Sequence, residues 1–148
     1  MYTREEASKI RQEFWSAFGI YMRPVPSATG EKVNWVNYNT RLKPVRFRLD
    51  ASNQGVWARI EIHGDDEYRS SVLSVVRNLA DDLQGELSPS WFHDVNIDGK
   101  NISMVEWKND RLNIFRRDDW PAMISFLKEK IILLDNFWAL HKDVIETI

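Results

Sequence analysis

Asp50 and Glu61 carry the sharpest chemical implication in this chain. Each stands in a short run of alternating apolar and polar residues, Val45 to Ala51 and Val56 to His63, and His63 follows Glu61 by two. An acid on one strand and an acid-x-base on the next is how metal-dependent nucleases of the PD-(D/E)xK-like class hold a divalent cation and polarise a water. Glu13, in a helical stretch upstream, supplies the carboxylate that such a site takes from a helix. His63 stands where that class has lysine, and an imidazole that titrates near neutrality does not reproduce a permanent positive charge. Asp50, Glu61 and His63 are thus the candidate catalytic set of a divergent nuclease with an altered site. Literal acid-x-Lys triplets, Asp98-Gly99-Lys100 and Glu106-Trp107-Lys108 (with Asp94 ahead of it), are no more frequent than the composition alone produces.

The same two runs support a different chemistry. A hairpin closed by Ser52-Asn53-Gln54-Gly55 pairs Arg48 with Arg59, Arg46 with Glu61 and Phe47 with Ile60. This register sends Val45, Phe47 and Leu49 to the face shared by Val56, Ala58, Ile60 and Ile62, and a slip of one residue would scatter them. The opposite face then carries Arg46, Arg48, Trp57, Arg59 and Glu61. Paired arginines directly opposite destabilise a ladder unless a carboxylate or an external anion compensates. An arginine beside an accessible tryptophan is one way to hold a base or a phosphate. These five are the candidate ligand-binding residues of a non-enzymatic binding module, with an anion or nucleic acid as the partner. The alternative, internal compensation by Glu61 and Asp50, would make an ordinary charged sheet face.

Other chemistries find little footing. The chain has no cysteine, so disulfides, thiol nucleophiles and Cys-ligated metals are excluded. His63, His93 and His141 show no metal-ligand spacing, and no phosphate-binding glycine loop or nucleophile-elbow motif occurs. Neither a metal nor a cofactor is implied. Seven tryptophans are spread over all elements, which suits core and core-edge anchors; an excess over what one small core can hold would point to a groove or interface.

The elements that must position these residues read clearly. Thr3-x-x-Glu6 is a capping box, and Ala7, Ile10, Phe14, Phe18 and Tyr21 form one apolar helical face that ends before Pro24 and Pro26. Val33 to Tyr38 reads as a strand ahead of the hairpin. Asp65-Asp66-Glu67 opens a second helix with the stripe Tyr68, Val72, Val75, Val76, Leu79 and Leu83, which stops at Gly85. Strands follow at Trp91–Val95, Ile102–Trp107 and Leu112–Phe115. Asp118-Asp119-Trp120-Pro121 opens a last helix that runs toward Ile148. The expected class is α+β, order α-β-β-β-α-β-β-β-α, a mostly antiparallel sheet packed against helices in a single domain over residues 1–148.

The last helix poses a question of size, because about 30 residues span roughly 45 Å. It should break near Asp135-Asn136 or meet another chain. Trp120, Ile124, Leu127, Ile131, Leu134, Trp138, His141, Ile145 and Ile148 fall at alternating steps of four and three, which fits a homodimer seam or a core helix across the sheet.

With 148 residues, 20 basic against 22 acidic side chains and 43% apolar residues, the chain has an ordinary globular composition. The near-neutral balance lends no help to a polyanion site. No apolar run is long enough for a membrane helix, and Met1 to Glu6 has no apolar signal core, so the cytoplasm is the expected location.

Met1 to Ala7, Phe14 to Gly19, Val33 to Tyr38, Phe47 to Ala51, Ile60-Glu61-Ile62, and Asp119-Trp120-Pro121 through Phe137-Trp138 together resemble a bacterial family known as domain of unknown function 4268. The resemblance runs in order over essentially the whole chain and is least around Arg111 to Arg117. It implies a small stand-alone protein or the C-terminal piece of a larger one, in some members beside nuclease-like domains. It brings no activity and assigns no catalytic residue.

Overall fold

A computed structural model describes residues 1–85 and 87–148. Helix α1 (Arg4–Met22) starts at the Thr3 cap, where the hydroxyl accepts from the Glu6 amide and the Glu6 side chain accepts from the Thr3 amide. It buries Phe14, Phe18 and Met22, so the stripe turns onto Met22 and leaves Tyr21 exposed.

Strands β1 (Val45–Ser52) and β2 (Gly55–Ile62) form the hairpin in the expected register, with Arg48 opposite Arg59, Arg46 opposite Glu61 and Phe47 opposite Ile60. Gly55 is required there. Its φ is +124°, and a Cβ at that position would lie 2.4 Å from the Asn109 carbonyl oxygen. Helix α2 (Asp66–Asn78) is capped by the Asp65 carboxylate on the Tyr68 amide. It ends sooner than its stripe suggests, and a 3-10 turn at Ala80–Leu83 carries Leu83 into the core. Strands β3 (Ser90–Ile97) and β4 (Lys100–Asn109) form a second hairpin, whose turn has Asp98 and Gly99 both at positive φ. Strand order is β1-β2-β4-β3, every neighbouring pair antiparallel.

The architecture is therefore α+β with a four-stranded antiparallel sheet, in the order α-β-β-α-β-β-α. Two expected strands are not formed. In Val33–Tyr38 the Asn34 side chain accepts from the amides of Val36 and Asn37, and this turn takes the donors a ladder would need. In Leu112–Phe115 the Asn113 side-chain oxygen accepts from the Phe115 amide, and the Asp119 carboxylate accepts from the Asn113 backbone amide. Only Ile114 reaches the sheet, with its amide on Ser52 O.

Helix α3 (Trp120–Glu146) runs 27 residues, about 40 Å, with no break at Asp135-Asn136. Its four-three stripe is used within its own chain. Leu127, Ile131, Leu134, Trp138 and Ile145 are all buried in the core that also holds Phe14, Val45 and Ile60. The stripe thus serves as a core helix across the sheet, one of the two uses its spacing allowed, and the large exposed apolar residues of this helix, Leu140 and Val144, lie outside it. Among the described residues no helix is long and apolar enough to cross a membrane.

All three helices contribute to the core on one side of the sheet. That core takes Val45, Phe47, Val56, Ile60, Ile62, Val105 and Trp107 from the strands, and it does not include Ile102 or Met104 of β4, which belong to the other side.

Candidate functional site

Alternation along β1, β2 and β4 builds the second sheet face. Cross-strand rows bring Asp50, Trp57 and Lys108 together, then Arg48, Arg59 and Glu106, then Arg46, Glu61 and Met104. The polar bonds made by these side chains stay within the sheet, its strand backbone or the loop leading into β1. Arg59 is the hub. Its Nε lies 2.6 Å from Glu106 Oε2 and its Nη1 lies 3.7 Å from Glu61 Oε2. Its guanidinium carbon sits 3.7 Å from the centroid of the Trp57 ring, a cation–π contact. Glu61 is 5% exposed, and its other oxygen meets His63 Nε2 at 3.2 Å.

The arginine pair opposite each other is thereby relieved from one side only. Glu106, which the sequence did not place beside Arg59, takes up that charge across the β2–β4 ladder. Arg48 faces solvent and makes no ion pair with the described residues. Arg46 is also exposed and only approaches the Lys43 carbonyl, at 3.4 Å. Asp50 does not compensate either arginine, because its carboxylate folds back onto the Ala51 amide at 2.8 Å. Phe92, opposite Met104 on β3, adds a second accessible aromatic ring to the face.

The structure thus brings Trp57, Arg59, Glu61 and His63 into one cluster, flanked by Arg46 and Arg48, and leaves Asp50 apart. Asp50 pairs with Trp57, four residues from Glu61 along β2. At about 3.3 Å per residue that is about 13 Å, whereas two carboxylates on one cation must each approach within about 2.5 Å. Glu13 is remote from both and bonds to Arg117, whose guanidinium holds the Glu13 carboxyl below the ordinary range. Glu106 is engaged by Arg59, and Asp94 by Arg69 at 3.0 Å. Among the described residues no three His, Asp or Glu side chains converge as a metal site.

Two polar clusters escaped the sequence reading. In the first, Ser103 Oγ lies 2.9 Å from His93 Nδ1, and His93 Nε2 lies 3.3 Å from Asp66. The order imitates a catalytic triad, but its exposure is inverted. Ser103 is fully buried and the Asp66 side chain is 75% exposed, so no substrate carbonyl can reach the hydroxyl. The same oxygen meets Arg69 Nη1 and the Asp94 amide, both at 3.3 Å. The cluster pins the β-bulge between Phe92 and Val95, where Asp94 adopts a φ of +62°.

In the second, Asp135 of α3 is 2% exposed. It accepts from Ser27 Oγ at 3.0 Å, the Ala28 amide at 2.8 Å and the Tyr38 hydroxyl at 2.5 Å. Burial, and then the bond to Asp135, push the Tyr38 phenol well above its ordinary value. A cleft of about 420 Å³ opens beside them. A lone acid after Ile131-Ile132-Leu133-Leu134 was the available signal, but its partners lie about a hundred residues upstream.

Residues 10–142 match the family model described as Domain of unknown function (DUF4268), and the chain belongs to that family. Comparison with curated proteins and with solved structures gave no match.

Proposed function

We propose that this member of the DUF4268 family is a non-enzymatic binding module that takes single-stranded nucleic acid on the open face of its sheet. The observation that carries the reading is the combination, on the sheet face opposite the helices, of Arg46 and Arg48, exposed and outside any ion pair of the described residues, with two partly accessible rings, Trp57 and Phe92. A sheet covered by helices on one side and bearing aromatic and cationic groups on the other is a platform on which unpaired bases stack while arginines meet phosphates. The Arg59 guanidinium stacks on the Trp57 ring. The internal Glu61 and Glu106 carboxylates hold Arg59 in that pose and leave Arg46 and Arg48 for the ligand.

The face is small and the chain carries a formal net charge of −2, so binding should be weak and strongly salt-dependent. Anisotropy titration with labelled single-stranded DNA and RNA oligonucleotides tests the reading. Saturable binding that falls in the Arg46→Ala/Arg48→Ala double variant supports it. Absence of saturable binding to any oligonucleotide at low salt removes it.

A further inference from the structure

At the end of this face, where β2 runs out and β4 begins, Arg46, His63, Gly64, Arg69, Asn96, Gly99, Lys100 and Asn101 line a shallow, open concavity of about 610 Å³. Four of these residues are basic, two are side-chain amides, and among the described residues no carboxylate lines the space. Arg69 is committed to Asp94 and to the Gly64 carbonyl oxygen, and His63 to Glu61. Arg46 and Lys100 remain outside any ion pair of the described residues. Asn96 and Asn101 are already joined at 3.1 Å, which holds the two amides in place beside Lys100.

We infer that this corner is the seat of a phosphate monoester, the charged end of the strand or of a free nucleotide. The inference rests on the reading of the sheet face given above and adds a polarity to it. A monoester carries nearly two negative charges at neutral pH, whereas an internal diester carries one, so two unpaired cations with fixed amide donors favour the terminus. The surroundings point the same way. Asp65 and Asp66 follow Gly64 directly, and Asp98 precedes Gly99. A polyanion that continued past the seat along either segment would run into further carboxylates, and Asp66 itself already lies 3.7 Å from Arg69 Nη2. The N-terminus of α2 does not itself supply the site, since the Asp65 side chain already caps it.

The test compares one oligonucleotide bearing a 5′-phosphate, a 3′-phosphate or neither, by anisotropy, with a nucleoside monophosphate as a separate ligand followed by protein NMR shifts. One phosphorylated end should bind about tenfold more tightly than the unphosphorylated strand. Lys100→Ala should abolish that increment while changing the affinity of the unphosphorylated strand less than about twofold. Arg48→Ala should weaken all three strands alike. Equal affinity of all three strands overturns the seat and leaves the face reading intact. If no strand binds but the monophosphate does so in a Lys100-dependent way, the face reading fails and the seat survives. Failure of both ligands overturns both.

Discussion

Glu61 and Asp135 are both carboxylates at 5% exposure or less, one on each side of the sheet, and they are held by opposite means. Glu61 sits beside a guanidinium and an imidazole, with Arg59 at 3.7 Å and His63 at 3.2 Å. Asp135 has only neutral donors, a serine hydroxyl, a backbone amide and a phenol. A buried charge must be either paired or thoroughly hydrogen-bonded. The two solutions have different consequences. The partners of Glu61 keep about a fifth of their side-chain surface exposed, 18% for Arg59 and 21% for His63, so the face around Glu61 can respond to a ligand. Neutral donors drawn from the 27–40 loop make Asp135 a clamp that fastens that loop to α3. The lesson is that burial of an acid does not by itself mark function; the kind of partner does.

The contrast can be broken most forcefully at the clamp. Asp135→Ala removes the shared acceptor of one buried and two part-buried donors and should cost about 3 kcal/mol, read from urea unfolding, with oligonucleotide affinity per folded molecule unchanged. A loss below about 1 kcal/mol would mean that water replaces the carboxylate and that the clamp is dispensable.

At the charged site the effect should be smaller and coupled. Arg59→Ala leaves Glu61 and Glu106 without their shared cation and should cost about 2 kcal/mol. A double-mutant cycle of Arg59→Ala with Glu106→Gln should return a coupling of about 1 kcal/mol, and additivity within about 0.3 kcal/mol would show that the pair is energetically independent.

The pH dependence sharpens the comparison further. The folded-state value of Tyr38 lies above the unfolded value of about 10, so its contribution to stability is complete below about pH 10 and is lost as pH rises toward the folded value. Tyr68, raised by desolvation, contributes a weaker slope of the same sign. Tyr38→Phe should flatten the fall in urea midpoint between about pH 9.5 and 11; an unchanged slope would remove Tyr38 as its source.

The smallest stability effects belong to the exposed cations. Arg46→Ala and Arg48→Ala should each change unfolding free energy by less than about 0.5 kcal/mol. Each should lower the salt dependence of oligonucleotide binding by about 0.7 in the log–log slope. Destabilisation without a change in slope would make them part of the framework instead.

The residues explain how far sequence reasoning reaches. The β1–β2 register was legible because alternation and the Ser52–Gly55 turn are local, and a one-residue slip exposes Phe47 and Ile60. The capping box of α1 was legible for the same reason. Val33–Tyr38 misled because its strand-like composition was weighed without the Asn34 side chain, whose two local bonds outcompete a ladder. The continuity of α3 through Asp135 was hidden, because the polar residue that looks like a break is solvated by a loop far upstream.

The candidate face divides along the same line. Which residues share the side of the hairpin follows from a period of two and needs nothing beyond the chain order. That Glu106 rather than Asp50 answers Arg59 depended on β4 docking beside β2 across α2, whereas the separation of Asp50 from Glu61 is already set within the β1–β2 hairpin. Short-range patterns are set by covalent spacing. Charge compensation is set by distance in space, and only the packed sheet brings residues 59 and 106 within a hydrogen bond of each other.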